Sequence, residues 1–418
     1  MFAAILLSHW LGTWIGTWAA APQHVPSAKT YANQTIRMIV HVSAGGKKVR
    51  VRFSNIYGGT PLFIRSAHIA RRTSGADVES DHVLTFGGKK SVHVEKEIVS
   101  DPVGLDVPPL SDLAISIFLP EATQATTQHE LAKQTNYVAD GDAAAAATFP
   151  PSKPIGNWPF LTGVDVAGSP ATPVIVAFGS SLTDGDGSTK DTNHRWPDYL
   201  AARLPGVGVL NEGIIGNRLL FDSDSPHQTG GPLADTYKEL GSDLGQSGLR
   251  RFDRDVVGQA GVRYVILALG VNDILFPSSF IDASNGVTAR MIIVGNRQLI
   301  ARAHKHGIRA IGATMPPFEH ALFRSPPFDQ FYSAEKENVR AAVNEWIRHG
   351  GEFDGVIDFD AVVRDPERPT QILPAFDSGD HLHVNDAGNV AQANAISLGL
   401  FGSGRAGEGA GATQKRDQ

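Results

Sequence analysis

The chain has 418 residues and a formal net charge of −6, from 43 acidic and 37 basic side chains, and contains no cysteine. That length exceeds the size at which single cores usually stop growing, so two domains are expected. Its basic residues are scattered rather than gathered on one face, so no nucleic-acid partner is expected. The absence of cysteine excludes disulfides, thiolate metal sites and cysteine nucleophiles.

In chain order, residues 1–8 are apolar but short and have no Lys or Arg ahead of them. They make a poor signal peptide, and no stretch is long enough for stable membrane insertion. Trp10, Trp14 and Trp18 recur every four residues, which suits core packing of the amino terminus or, as a sharper alternative, a sugar-stacking platform. Residues 35–42 and 49–54 alternate apolar with polar side chains, and Ala44-Gly45-Gly46-Lys47-Lys48 between them is a hairpin signal. Further short strands are expected at 91–94 and 113–119. The pattern predicts a β-rich N-terminal domain over 1–150, a sandwich or jelly-roll. An alanine run followed by Pro150 and Pro151 then reads as the start of a linker, placed at 151–173.

From Val174 the rhythm changes to strand–helix alternation. Short apolar runs at 174–179, 207–211, 264–270, 309–314 and 355–359 do not alternate, as expected of buried parallel strands. Helical patterns lie between them at 195–204, 289–306 and 334–349, and His304 and His306 near the end of the second are read as structural, facing the carbonyl dipole. Together these predict a doubly wound α/β domain over 174–401, with ligands at the carboxyl ends of the strands. Residues 402–418 are rich in Gly and charge and read as a disordered tail.

Each polar cluster of this second half falls where a strand ends. Ser181 sits in Gly179-Ser180-Ser181-Leu182-Thr183 after the first strand, and Asn211-Glu212-Gly213-Ile214-Ile215-Gly216-Asn217 follows the second. Gly270-Val271-Asn272-Asp273 follows the third, and Asp380-His381-Leu382-His383 lies beyond the fifth. Nucleophilic ester cleavage needs a serine, a base, an acid to orient the base, and oxyanion donors. Ser181, His383 and Asp380 supply the first three; the backbone amides of Ser181 and Gly216 and the side-chain amide of Asn272 supply the donors.

These four blocks, in this order, resemble the SGNH (GDSL-type) hydrolase family over roughly residues 174–401. The resemblance implies a flavodoxin-like three-layer α/β/α sheet and a serine hydrolase acting on carboxylic esters without cofactor or metal. It assigns Ser181 as nucleophile and first oxyanion donor, Gly216 and Asn272 as further donors, and Asp380 and His383 as the rest of the triad. The first half is similar to the β-rich domain that precedes the hydrolase domain in one bacterial and fungal branch, through Trp14-Ile15-Gly16-Thr17-Trp18-Ala19-Ala20 and Arg50-Val51-Arg52-Phe53-Ser54-Asn55. The resemblance favours an extracellular or periplasmic location. Two positions depart from the family pattern: Ser180 stands where Asp usually precedes the nucleophile, and Val384 stands where Pro is common.

Blander readings stand beside these. An isolated Ser181 would serve as a helix N-cap, and Asp-x-x-His alone would be a structural pair. Asp377, Asp380, His381 and His383 invite a metal reading, since His381 and His383 would face one ion from an extended segment; that leaves Ser181 and Asn272 unexplained. Asp184-Gly185-Asp186-Gly187-Ser188 faintly resembles a calcium loop but reads better as a turn. Loops after strands two to four carry Phe276, Phe280, Phe318, Phe323, Phe328, Phe331 and Tyr332, an apolar wall suited to short or medium acyl chains. The expected partner is therefore a small-molecule ester or an acylated carbohydrate. A carbohydrate O-acetylesterase is the alternative function, and a non-catalytic glycan-binding protein a distant third. The sequence leaves the oligomeric state open.

Overall fold

The computed structural model describes residues 13–223, 230–324 and 327–402. Expectations for the amino terminus up to Trp10 and for the tail beyond Gly402 lie outside the described residues. No helix of the described chain is long and apolar enough to cross a membrane.

The amino-terminal region is built from antiparallel sheets. Gln34–Val42 pairs with Ser111–Leu119 and Asn136–Asp140 in a six-stranded sheet. Val49–Ser54 pairs instead with Leu161–Gly168 and Glu97–Val99 in a four-stranded sheet. The expected hairpin is therefore not formed. Alternation marks one face of each strand as buried but does not choose its partner. Here Ile36, Met38, Val40 and Val42 of one sheet share a core with Val49, Val51 and Phe53 of the other, and residues 43–48 carry the chain across.

The expected linker also needs correction. Residues 151–173 contain Lys153–Ile155, Trp158–Pro159 and Leu161–Gly168, and the last lies between Thr13–Ala19 and Val49–Ser54. Its Leu161, Val164 and Val166 are buried. Proline misled the reading: Pro154 sits on an edge strand of the six-stranded sheet, where a missing N–H costs little.

The second half forms a five-stranded sheet in the order Gly208–Asn211, Val174–Gly179, Val262–Ala268, Arg309–Ala313, Gly355–Ile357, every pair parallel. In chain numbering that is second, first, third, fourth, fifth, the flavodoxin-like order, whose crevice opens beside the first strand. The apolar runs fail to alternate because both faces are covered. On the first strand Val174, Val176 and Phe178 feed one core, which includes Leu299 and Val343 of helices Ala289–Lys305 and Ala334–His349. Ile175 and Ala177 feed the opposite core with Leu200 of Trp196–Arg203 and Ala393 of Asp386–Ala395. Thr288 and Ser333 cap the two long helices by accepting from the Met291 and Lys336 amides.

The two halves meet directly. The Gly16 amide donates to the Ala260 carbonyl at 2.8 Å, the Val209 amide to Ser43 Oγ at 2.9 Å, and Arg254 Nη1 to the Tyr57 hydroxyl at 3.1 Å. One hydrophobic cluster runs continuously through both.

Candidate active site

The first strand ends at Gly179, and the chain turns at Ser180 into a single helical turn, Ser181–Asp184. A Cβ on residue 179 would lie 2.0 Å from Thr183 Oγ1, so only glycine lets the turn close this tightly. Ser181 thus heads the turn, where amide N–H groups have no intrahelical partner, and it is buried at the sheet edge.

Segments remote in sequence converge on it. His383 Nε2 lies 2.8 Å from Ser181 Oγ. The other ring nitrogen, Nδ1, lies 2.8 Å from Asp380 Oδ2. Asp380 Oδ1 accepts from the Leu382 and His383 amides at 3.0 and 2.9 Å and from Ser378 Oγ at 3.0 Å. Burial alone would raise the Asp380 pKa, but the hydrogen bonds and charge of His383, with those amides, hold it well below the usual carboxylate range. For His383 burial favours the neutral ring; the Asp380 hydrogen bond and the charges of Asp186 and Asp380 outweigh it and raise the pKa. Asp186 Oδ2 is 3.8 Å from His383 Nε2.

Gly216 and Asn272 reach the same place. Gly216 has φ +66°, a left-handed conformation that favours glycine. Asn272 Nδ2 donates one hydrogen to the Asn217 carbonyl at 2.9 Å, which leaves its second for a ligand. Asp273 accepts from the Leu219 and Leu220 amides at 2.7 and 3.0 Å, with its pKa pushed by burial to about 6. Ser181, Gly216, Asn272, Asp380 and His383 all line one cavity of about 520 Å³. All five residues singled out from sequence are therefore brought together.

The two histidines that invited a metal reading are not presented to one ion as expected. His381 has φ +61°, so the segment is not extended there and the two imidazoles diverge. His381 pairs with Asp377 while His383 faces Ser181. Among the described residues no cluster of three or more His, Asp or Glu is arranged to hold an ion.

Ser180, the departure from the family pattern, is buried with its hydroxyl unpartnered among the described residues. Other groups brace the Ser181 turn. The fully buried Arg251 guanidinium donates to the Gly179 carbonyl at 2.9 Å, the Glu212 carbonyl at 2.8 Å and Asn217 Oδ1 at 3.0 Å. Its charge meets Asp255 at 3.0 Å, and its plane lies over the Phe178 ring, 4.0 Å from the centroid. Burial pushes the nearby Glu212 carboxyl well above the usual range.

The cavity wall was only partly legible. Phe276, Phe280, Phe323 and Phe331 line it. Phe318 is instead fully buried against Tyr332, and Phe328 packs on Phe331. Sequence reasoning missed Asp186, read as part of a turn, and Asp243. It also missed Glu130 and Leu131, which bring the β-rich region into the wall. No motif marks these last two; only the tertiary fold puts them there. Trp18 is buried edge-on against Trp158, the packing role rather than a sugar platform. His304 meets the Asp354 carboxylate at 2.8 Å, a side-chain partner in place of the expected helix carbonyls.

A family model described as GDSL-like Lipase/Acylhydrolase matches residues 175–396. No curated protein matches the chain. Among solved structures, it is similar to a GDSL-like lipase from Bacteroides thetaiotaomicron, with 16% identity over 55% of this chain and 87% of that one and a TM-score of 0.36. It is similar to the aryl esterase of M. smegmatis, with 16% identity over 54% and 96% and a TM-score of 0.39. A carbohydrate acetylesterase from Sinorhizobium meliloti gives 16% identity over 54% and 96%, also with a TM-score of 0.39.

Proposed function

Because the chain belongs to the GDSL-like lipase/acylhydrolase family and is thereby a carboxylic ester hydrolase, we propose that it cleaves esters of short to medium acyl chains through an acyl-enzyme on Ser181. The observation that carries this reading is the unbroken relay from Ser181 Oγ through His383 to Asp380, each link 2.8 Å, opening on an aromatic-walled cavity.

Ser181 Oγ attacks the ester carbonyl as its proton passes to His383 Nε2, and Asp380 stabilises the imidazolium from Nδ1. The oxyanion of the tetrahedral intermediate takes hydrogen bonds from the Ser181 and Gly216 amides and the second N–H of Asn272. His383 then returns its proton to the departing alkoxide, which leaves as the alcohol, and the acyl group remains on Ser181. Water attacks this ester while His383 takes its proton; collapse of the second intermediate returns the proton to Ser181 Oγ and frees the acid. Each oxyanion donor is worth about 10²–10³ in turnover.

Phe276, Phe280, Phe323 and Phe331 suit an apolar acyl chain. Glu130, Asp186 and Asp243 give the same cavity an acidic side, which supports a second reading, a carbohydrate O-acetylesterase whose hydroxyl-rich alcohol meets those carboxyls. Ser181→Ala is expected to abolish hydrolysis of nitrophenyl esters with native circular dichroism, and retained turnover refutes the serine mechanism. Turnover lost to EDTA restores the metal reading. A series of nitrophenyl acyl lengths run against acetylated xylan separates the two substrate classes.

A further inference from the structure

His129 belongs to the β-rich region, far from the four motif blocks, yet it contacts the nucleophile turn. It is 3% exposed. Its Nε2 lies 3.0 Å from Asp184 Oδ1 and its Nδ1 lies 2.9 Å from the Ala21 carbonyl oxygen. Asp184 is the last residue of the turn that begins at Ser181, and is itself 1% exposed. Its other oxygen, Oδ2, accepts the Ile215 amide at 3.0 Å, one residue before Gly216. One carboxylate therefore ties the nucleophile turn to the loop that carries the second oxyanion donor, and His129 holds that carboxylate.

Hydrogen-bond chemistry fixes the state of this histidine. A carbonyl and an ionised carboxylate are both acceptors, so opposite an ionised Asp184 both ring nitrogens donate and the ring is an imidazolium. Burial opposes that charge, but the Asp184 charge and hydrogen bond outweigh it and raise the pKa. The next two residues, Glu130 and Leu131, stand in the cavity wall, so the same anchor sets that side of the site.

We propose that His129 is a positioning residue for the hydrolase centre, fixing through Asp184 both the Ser181 turn and the Ile215–Gly216 loop. The proposal rests on Ser181 being the nucleophile. A misplacement near 1 Å can cost about 10²-fold in rate. His129→Ala should therefore lower kcat by about 10–100-fold with KM within about threefold, in protein whose circular dichroism is native.

Two near-isosteric variants separate positioning from bulk packing. The Nε2 amide of a glutamine can donate to Asp184, whereas the shorter asparagine amide reaches only the Ala21 side. On nitrophenyl butyrate His129→Gln should recover at least about tenfold in kcat over His129→Ala, and His129→Asn should not. Equal kcat in the Asn and Gln variants overturns the proposal, as does an Ala variant within twofold of wild type. Failure of all three to fold also counts against it, since the residue would then serve folding alone. Ser181→Ala is assayed alongside. An active Ser181→Ala defeats the underlying mechanism, whereas an inactive one with indifferent His129 variants defeats only this inference.

Discussion

Replacing Gly216 by alanine is expected to damage stability and turnover together, and the two losses can be worked out separately. At φ +66° an L side chain is strained by about 1–2 kcal/mol. The new Cβ would also lie 2.6 Å from Leu244 Cδ2 and 3.1 Å from its Cδ1, and Leu244 is itself buried in the cavity wall. Such overpacking costs about 1–3 kcal/mol, toward the lower end here because the methyls end a flexible side chain. Stiffening of the unfolded chain returns only about 0.4–1 kcal/mol. The net expectation is a loss of about 1–4 kcal/mol, read from urea unfolding. If the loop relieves the contact by rotating, the 216 amide leaves the oxyanion and kcat on nitrophenyl butyrate falls by about 10²-fold. Leu244→Ala in the same chain removes the contact but not the left-handed strain, so it should restore kcat only in part. A Gly216→Ala protein that is destabilised as expected yet keeps kcat within twofold refutes the assignment of this amide as a donor.

Asp186→Asn removes a carboxylate that raises the His383 pKa. In the proposed mechanism His383 must be neutral to accept the serine proton, so lowering its pKa extends activity to more acid conditions. The acid limb of kcat/KM should move to lower pH, and should move less at high salt; a shift toward higher pH refutes the assignment. Arg251→Met leaves Glu212, Gly179 and Asn217 without their shared donor and Asp255 with Arg254 alone. It should cost about 3 kcal/mol or more in urea unfolding, and a loss under 1 kcal/mol would mean that the brace carries little.

The reach of sequence reasoning follows from where each piece of chemistry is encoded. Ser181, Gly216 and Asn272 follow strand ends, and Asp380 and His383 precede the last helix, each within a short motif, so a motif-by-motif reading could bring them to one edge. The parallel strands were legible because two covered faces demand unbroken apolar runs. Pairing in the β-rich region was not: the alternation at 35–42 and 49–54 is the same for a hairpin as for two facing sheets. The Leu161–Gly168 strand was hidden behind proline. His381 misled through a left-handed backbone that no local pattern announced. His129, Glu130 and Arg251 reach the site across distances in sequence that only the finished fold closes.

The hydrophobic cluster that passes from Ile36 and Val51 through Val176 to Val343 has a consequence for evolution. Two regions that share one interior cannot be exchanged as modules: a β-rich region from elsewhere would have to match both this interior and the His129 contact with Asp184. Inheritance of the hydrolase blocks and of the β strands should therefore be coupled, and a hybrid would need compensating changes on both sides of the seam before it could turn over an ester.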